Sequence, residues 1–193
     1  IRTPMNGILG MTELVSDTAL TSEQSEYIET IRYSANALLR VLNDILDFSK
    51  VESGKMTIER RPFRVRRLIQ RTVDLFQSKF DERQLTVVVE CAAAVPECLI
   101  TDETRLGQIL WNLLGNAVKF TSHQGGIIVL LTLDRNESDS STNWRLSVID
   151  IGAGIEPSAI ARIFEAFEQE DSSITRRFGG TGLGLTIALR LAT

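Results

Sequence analysis

Asp102–Thr121 reads DETRLGQILWNLLGNAVKFT. Leu106, Ile109, Leu110, Leu113 and Ala117 recur at steps of three and four, which puts them on one face of a helix. Arg105, Gln108, Asn112, Asn116 and Lys119 form a polar stripe on the other side at similar steps. A solvent-facing stripe is ordinarily filled with Glu and Lys. Asn has poorer helix propensity, so two of them at i and i+4 point to a use for their carboxamides. A carboxamide oxygen is a hard, neutral donor for Mg²⁺, its NH₂ donates to phosphate, and Lys119 can meet phosphate charge. An amphipathic helix with indifferent polar residues has the same spacing, so the stripe needs support from elsewhere.

Three downstream segments supply it. In LSVIDIGAGI (Leu146–Ile155) a half-buried strand ends at Asp150, and Gly152 and Gly154 turn the chain. A carboxylate there can accept from an exocyclic amine such as adenine's, with glycine backbone beneath the ring; a plain Asp-x-Gly turn is the alternative. RIFEAFEQEDSSITRRFGG (Arg162–Gly180) opens with Phe164 and Phe167 and then turns polar up to Arg176 and Arg177. Its make-up suits a lid with aromatic hinges, although spacing alone favours Phe164 and Phe167 as core residues. FGGTGLGLTIALRLAT (Phe178–Thr193) sets four glycines within six residues at the mouth of a helical pattern, where unpaired N–H groups and the helix dipole attract anions. No Lys follows these glycines, so they are not a P-loop, and no buried strand precedes them, so they are not a dinucleotide fingerprint.

Upstream of the polar helix lie two kinds of pattern. Residues up to about 55 are helical by period: Ile28, Ile31, Ala35, Leu38, Leu42 and Ile45 form a heptad seam widened by Leu39 and Leu46. Met5, Ile8, Thr12 and Val15 form a shorter matching seam. SDTALTS (Ser16–Ser22) connects them, Thr21 with Gln24 predicts a capping box, and Gly54 a helix stop. One hairpin cannot cover both stripes, which predicts a dimeric four-helix bundle. From residue 55 onward the pattern mixes. KMTIE (Lys55–Glu59) predicts a short strand and Phe63–Phe80 a helix. LTVVVE, CLIT, GGIIVLLTLD and WRLSVID predict strands. No regular βαβ beat runs through them, so the expected architecture is α+β, with helices on one face of a mixed sheet.

Composition excludes several classes. With 25 acidic against 21 basic residues, the 193-residue chain has no nucleic-acid or membrane-surface character. Its most apolar run, Ile127–Leu131, is far too short for a bilayer, and no signal peptide is visible. Cys91 and Cys98 lack metal-ligand spacing. RRPFRVRRLIQR (Arg60–Arg71) holds six arginines, read as a solvated face in preference to a docking patch. His123, the one histidine, stands in a turn-like TSHQGG without an acid beside it and reads as a solvated loop residue.

The order Asn-x-x-x-Asn-x-x-Lys, Asp-x-Gly-x-Gly, Phe-x-x-Phe, Gly-Thr-Gly-Leu-Gly is that of the N, G1, F and G2 boxes, and the chain resembles a sensor histidine kinase along nearly its whole length. IRTPMNGILG at its front resembles the family's H-box region, and its wording resembles hybrid kinases that carry their own receiver. The resemblance implies a dimerisation and phosphotransfer hairpin over residues 1–54. A two-layer α/β sandwich follows over 55–193, the ATP-binding fold shared with gyrase, the mismatch-repair ATPases and a heat-shock chaperone. It further implies Asn116 as Mg²⁺ ligand, with Asn112 and Lys119 along the phosphates of ATP. Asp150 falls on the adenine amine, and Gly152 and Gly154 shape that pocket. Gly180, Thr181, Gly182, Leu183 and Gly184 lie against the phosphates, and Arg177 near the γ-phosphate. Thr3 matches a position that in some relatives assists dephosphorylation of a partner.

By the family pattern His-Glu would stand just before Ile1. The chain as it stands is therefore expected to bind ATP without phosphorylating its own acceptor, and both ends are expected to be truncated. Implied partners are a second copy through the hairpin and a response-regulator receiver domain. No nucleic acid is expected, and a membrane only through other parts of the parent. The chain would be the cytosolic portion of a membrane-anchored bacterial sensor. Two rivals stand beside the kinase. One is an ATPase of the shared fold, which would need a catalytic Glu on the first helix after the hairpin, where the sequence offers Asp74 but no well-placed Glu. The other is a silent nucleotide-binding regulatory module.

Overall fold

The computed structural model describes residues 2–135, 142–167 and 182–192, which fall into two compact units, Ile1–Met56 and Thr57–Thr193. The first holds α1 (Arg2–Ser16) and α2 (Ser22–Glu52). The capping box forms as expected: Thr21 Oγ1 accepts the Gln24 N–H at 3.2 Å, and Gln24 Oε1 accepts the Thr21 N–H at 3.0 Å. Such a cap contributes about 1 kcal/mol. After α2, Gly54 at φ +64° takes the left-handed conformation that ends the helix, with its N–H on the Val51 carbonyl. Met5, Thr12 and Ala35 are buried between the helices, but Ile8, Ile31, Leu38 and Ile45 stay 40–46% exposed. The seams are present and only partly covered.

The second unit is an α/β layer structure. β1 (Arg61–Arg64) pairs antiparallel with β3 (Cys98–Thr101). A second, mixed sheet has the order β2 (Thr86–Cys91), β4 (Gly126–Arg135), β5 (Thr142–Asp150), parallel between the first two and antiparallel between the last. Strand alternation sends Ile127, Val129 and Leu131 of β4 into the core at 0% exposure. There they join Val65, Leu68, Ile69 and Val73 of α3 (Val65–Asp74) and Leu106, Leu110 and Leu114 of α5 (Glu103–Phe120). Each such side chain contributes about 1.5–3 kcal/mol by leaving water. Val88, Ile128 and Ile149, in register across the sheet, face the other way and are exposed.

Four expectations are corrected. Lys55–Glu59 is not a strand; the strand begins at Arg61, where Phe63 and its partner Leu99 are both buried. Phe63–Phe80 is not one helix: Phe63 is in β1, and α3 is separated from α4 (Gln77–Arg83) at Leu75–Phe76. The break lets Leu75 turn out, 68% exposed, while Phe76 turns in against Trp111 with ring centroids 4.4 Å apart. On α5 the buried line is Leu106, Leu110, Leu114, Ala117 and Val118, with Ile109 and Leu113 only half-buried. Phe164 and Phe167 are not core residues, being 37% and 63% exposed.

The arginine run is largely engaged within its own unit. Arg61, Arg64 and Arg71 form exposed ion pairs with Glu59, Glu97 and Glu103, and Arg66 donates to the carbonyls of Cys91 and Ala92. No helix among the described residues is long and apolar enough to cross a membrane.

Candidate functional site

α5 organises the site because it is fixed along its length. Asp102 caps its first turn, its packed face fills the core, and Thr121 closes its end by donating Oγ1 to the Ala117 carbonyl at 2.6 Å. The Arg83 guanidinium donates to the carbonyls of Val118 and Lys119, satisfying acceptors that a helix end leaves open.

Two distant stretches converge on the polar side of α5. Asn112 Nδ2 donates to the Gly184 carbonyl at 3.0 Å, holding the first residue of α6 (Gly184–Ala192). A Cβ on Gly184 would lie 3.4 Å from Asn112 Cγ, so the approach is close. At the other end of α5, the turn after β5 rests on Phe120. Asp150 Oδ1 accepts the Gly152 N–H at 2.9 Å, and a Cβ on Gly152 would stand 2.6 Å from the Phe120 carbonyl oxygen. Gly154 follows at φ +74°. The eight residue steps from Asn112 to Phe120 span about 12 Å of helix. The polar side and C-terminal end of α5 therefore carry the start of α6, Asn112, Asn116, Lys119 and the Asp150 turn in sequence.

The side chains differ in how far they are committed. Asn116 is half-buried and makes no hydrogen bond to any described residue. Lys119 is half-buried, and burial lowers its pKa from the ordinary 10.5. Its Nζ lies 4.9 Å from the Phe120 ring centre, and among the described residues it has no ion-pair partner. Asp150 is exposed, with its Oδ1 held by the turn. The Phe167 N–H donates to the Gly182 carbonyl at 3.2 Å, so the two flanks of residues 168–181 meet, and Leu183 beside them is fully buried. Arg177, Gly180 and Thr181 lie outside the described residues. Thr3 is exposed on α1 in the first unit, and His123 is exposed in the turn between α5 and β4. Phe120 was missed by the sequence pattern because its spacing continues the apolar face of Ile109 and Leu113, where a Phe reads as core. No group of three or more His, Cys, Asp or Glu among the described residues could hold a metal.

Family profiles match a stretch in each unit. Residues 1–54 match the His Kinase A (phospho-acceptor) domain, and residues 101–193 match the histidine kinase-, DNA gyrase B- and HSP90-like ATPase domain. The chain belongs to the histidine kinases.

Among curated histidine kinases, the sensor kinase GacS of Pseudomonas protegens is 43% identical over 191 residues, 99% of this chain and 21% of that protein. BarA of Escherichia coli, described as a signal transduction histidine-protein kinase, is 42% identical over the same shares. This histidine kinase chain thus spans about a fifth of the length of the curated relatives it matches. Among solved kinases, full-length ShkA, crystallised with AMPPNP, superposes with a TM-score of 0.77 at 39% identity, over 99% of this chain and 38% of that one.

Proposed function

We propose that the chain is the core of an ATP-dependent protein-histidine kinase. It would move the γ-phosphate of ATP to a His just upstream of Ile1 in the parent, for relay to a receiver-domain Asp. The observation that carries this is the convergence on α5: Asn112 grips the start of α6, and the Asp150 turn rests on Phe120. Residues 1–54 are the phosphotransfer hairpin and 55–193 the ATP-binding domain.

In the nucleotide's frame, Asp150 accepts from the adenine amine with its second oxygen, since Oδ1 is already engaged by Gly152. Gly152 and Gly154 shape that pocket against the Phe120 backbone. Gly182, Leu183 and Gly184, with Gly180, Thr181 and Arg177, follow the phosphates at the start of α6, where helix N–H groups face anions. Asn112 and Lys119 lie along the same phosphates. Asn116 fits Mg²⁺, because its carboxamide is uncommitted to any described residue and the described residues offer no protein cage for a metal. When bound, Mg²⁺ neutralises charge on the transferring phosphate. The γ-phosphorus–oxygen bond breaks, a phosphorus–nitrogen bond forms at the imidazole, and ADP leaves. What this chain supplies is position and charge.

Lys119 gives a pH signature. An anion binds best to the protonated ammonium, and burial has already lowered its pKa, so ATP affinity falls as pH rises through that lowered value, short of 10.5. Binding raises the Lys119 pKa and takes up protons in that window. For folding, the depressed pKa contributes stability that is present above 10.5 and lost as pH falls through the folded value. Nucleotide titrations from neutral pH upward check this, and Lys119→Met flattens the profile.

The half-open hairpin seams fit a second copy forming a four-helix bundle, and Thr3 is exposed where a receiver could reach it for dephosphorylation. The parent would be a membrane-anchored bacterial sensor with this chain on the cytosolic side. Asp74 suits a water-activating base poorly, since it is exposed at the end of α3 and already accepts from Gln70 Nε2 at 2.8 Å.

The deciding experiment incubates the parent, including the residues before Ile1, with γ-labelled Mg-ATP. Acid-labile, base-stable label on protein is the expected result. Free phosphate would favour an ATPase, and nucleotide bound without either product would favour the regulatory module.

A further inference from the structure

Residues 57–60 carry the chain from the hairpin into the ATP-binding unit, and they are exposed and belong to no helix or strand. Apart from an exposed Glu59–Arg61 ion pair, the described residues hold them through one side chain, that of Asp102. Asp102 is 8% exposed and uses its two oxygens on two different elements. Oδ1 accepts the Arg105 N–H at 3.0 Å and caps α5; Oδ2 accepts the Glu59 N–H, also at 3.0 Å. A helix cap needs only one oxygen. The second has no purpose in α5 itself.

We propose that Asp102 is a positioning residue for phosphoryl transfer, whose second oxygen straps the connector at Glu59 to the N-terminus of the helix carrying Asn112, Asn116 and Lys119. This rests on the kinase function proposed above. With the strap in place the free connector ends at Ile58. Without it, the first fixed residue is Arg61 at the start of β1, so the tether gains two residues, roughly 7 Å of extended reach. A longer tether lowers the effective concentration of one end at the other by about the three-halves power of its length, and release of the strap also frees rotation at the junction. Both effects act on the transfer step and leave nucleotide binding alone.

The test separates the two oxygens. Asp102→Asn keeps a good N-cap, because the amide oxygen can accept from Arg105, but its NH₂ then faces the Glu59 N–H and the strap is lost. Glu59→Pro removes the same bond from the donor side. In the parent protein at saturating Mg-ATP, each variant should lower the first-order rate of protein labelling roughly two- to fivefold. The double variant should be no slower than either single one, the ATP Kd of Asp102→Asn should match wild type, and its melting temperature should fall by no more than about 2–4 °C, the cost of one hydrogen bond. An unchanged labelling rate in Asp102→Asn overturns the proposal. So does a weakened ATP Kd with a larger fall in melting temperature, since Asp102 would then be a helix cap and no more. If wild-type parent takes up no label, the kinase function itself fails and the strap's role falls with it.

Discussion

Gly152→Ala should lower ATP affinity by at least about tenfold, a loss of about 1.4 kcal/mol, while the domain remains folded. The added Cβ would sit 2.6 Å from Asp150 Oδ1 and 2.6 Å from the Phe120 carbonyl oxygen, with the Phe120 carbonyl carbon at 3.0 Å. Turning the carboxylate away would break its bond to the Gly152 N–H and misdirect the adenine acceptor. The Phe120 oxygen is backbone at the end of a packed helix and cannot swing aside. The turn must therefore lift off α5, at about 1–3 kcal/mol for such overpacking. Melting temperature should fall by about 2–4 °C for each kcal/mol. Gly154→Ala is the matched control. It imposes a left-handed φ of +74° on alanine but meets nothing within 4 Å, so it costs about 1 kcal/mol of strain and a smaller share of affinity. Equilibrium dialysis against ATP with parallel thermal melts reads both. Wild-type affinity in Gly152→Ala would mean that the Asp150 turn does not form the adenine pocket.

That contact also marks where the sequence could be read and where it could not. The Asn112–Asn116–Lys119 stripe is legible because three side chains share one helical face, and the Thr21–Gln24 cap because both partners lie within one turn. Phe120 is invisible to the same logic, since what Gly152 meets is its carbonyl oxygen, and side-chain period carries no record of backbone. The break between α3 and α4 is hidden for a different reason. Ile69, Val73, Phe76 and Phe80 keep steps of three and four straight across it, so the pattern continues while the backbone does not. The decisive contact, Phe76 on Trp111, joins residues far apart in the chain. Lys55–Glu59 alternates like a strand, yet β3 pairs with Arg61–Arg64, where Phe63 and Leu99 can both be buried. Local alternation nominates strands; a partner edge selects among them.

The two asparagines should separate when each is truncated, and Asn116→Ala should have the larger effect on chemistry. Asn112 supports structure as well as ligand: its amide holds the Gly184 carbonyl, so Asn112→Ala should cost about 1 kcal/mol of stability along with nucleotide affinity. Asn116 is half-buried with no bond to any described residue, and alanine is the better helix former by up to about 0.7 kcal/mol. Asn116→Ala should therefore melt at or slightly above the wild-type temperature. Its phosphoryl transfer in the parent should nonetheless fall by about 10²–10³, the size of loss seen when one group stabilising transition-state charge is removed. The remaining ATP affinity should lose most of its dependence on Mg²⁺, because the carboxamide that fits the ion is gone. Labelling rates, melts and ATP titrations with and without Mg²⁺ distinguish the cases. If Asn116→Ala labels at the wild-type rate, the polar stripe of α5 is a solvated face after all. If it loses stability instead, Asn116 holds the fold and the charge on the transferring phosphate must be met from elsewhere.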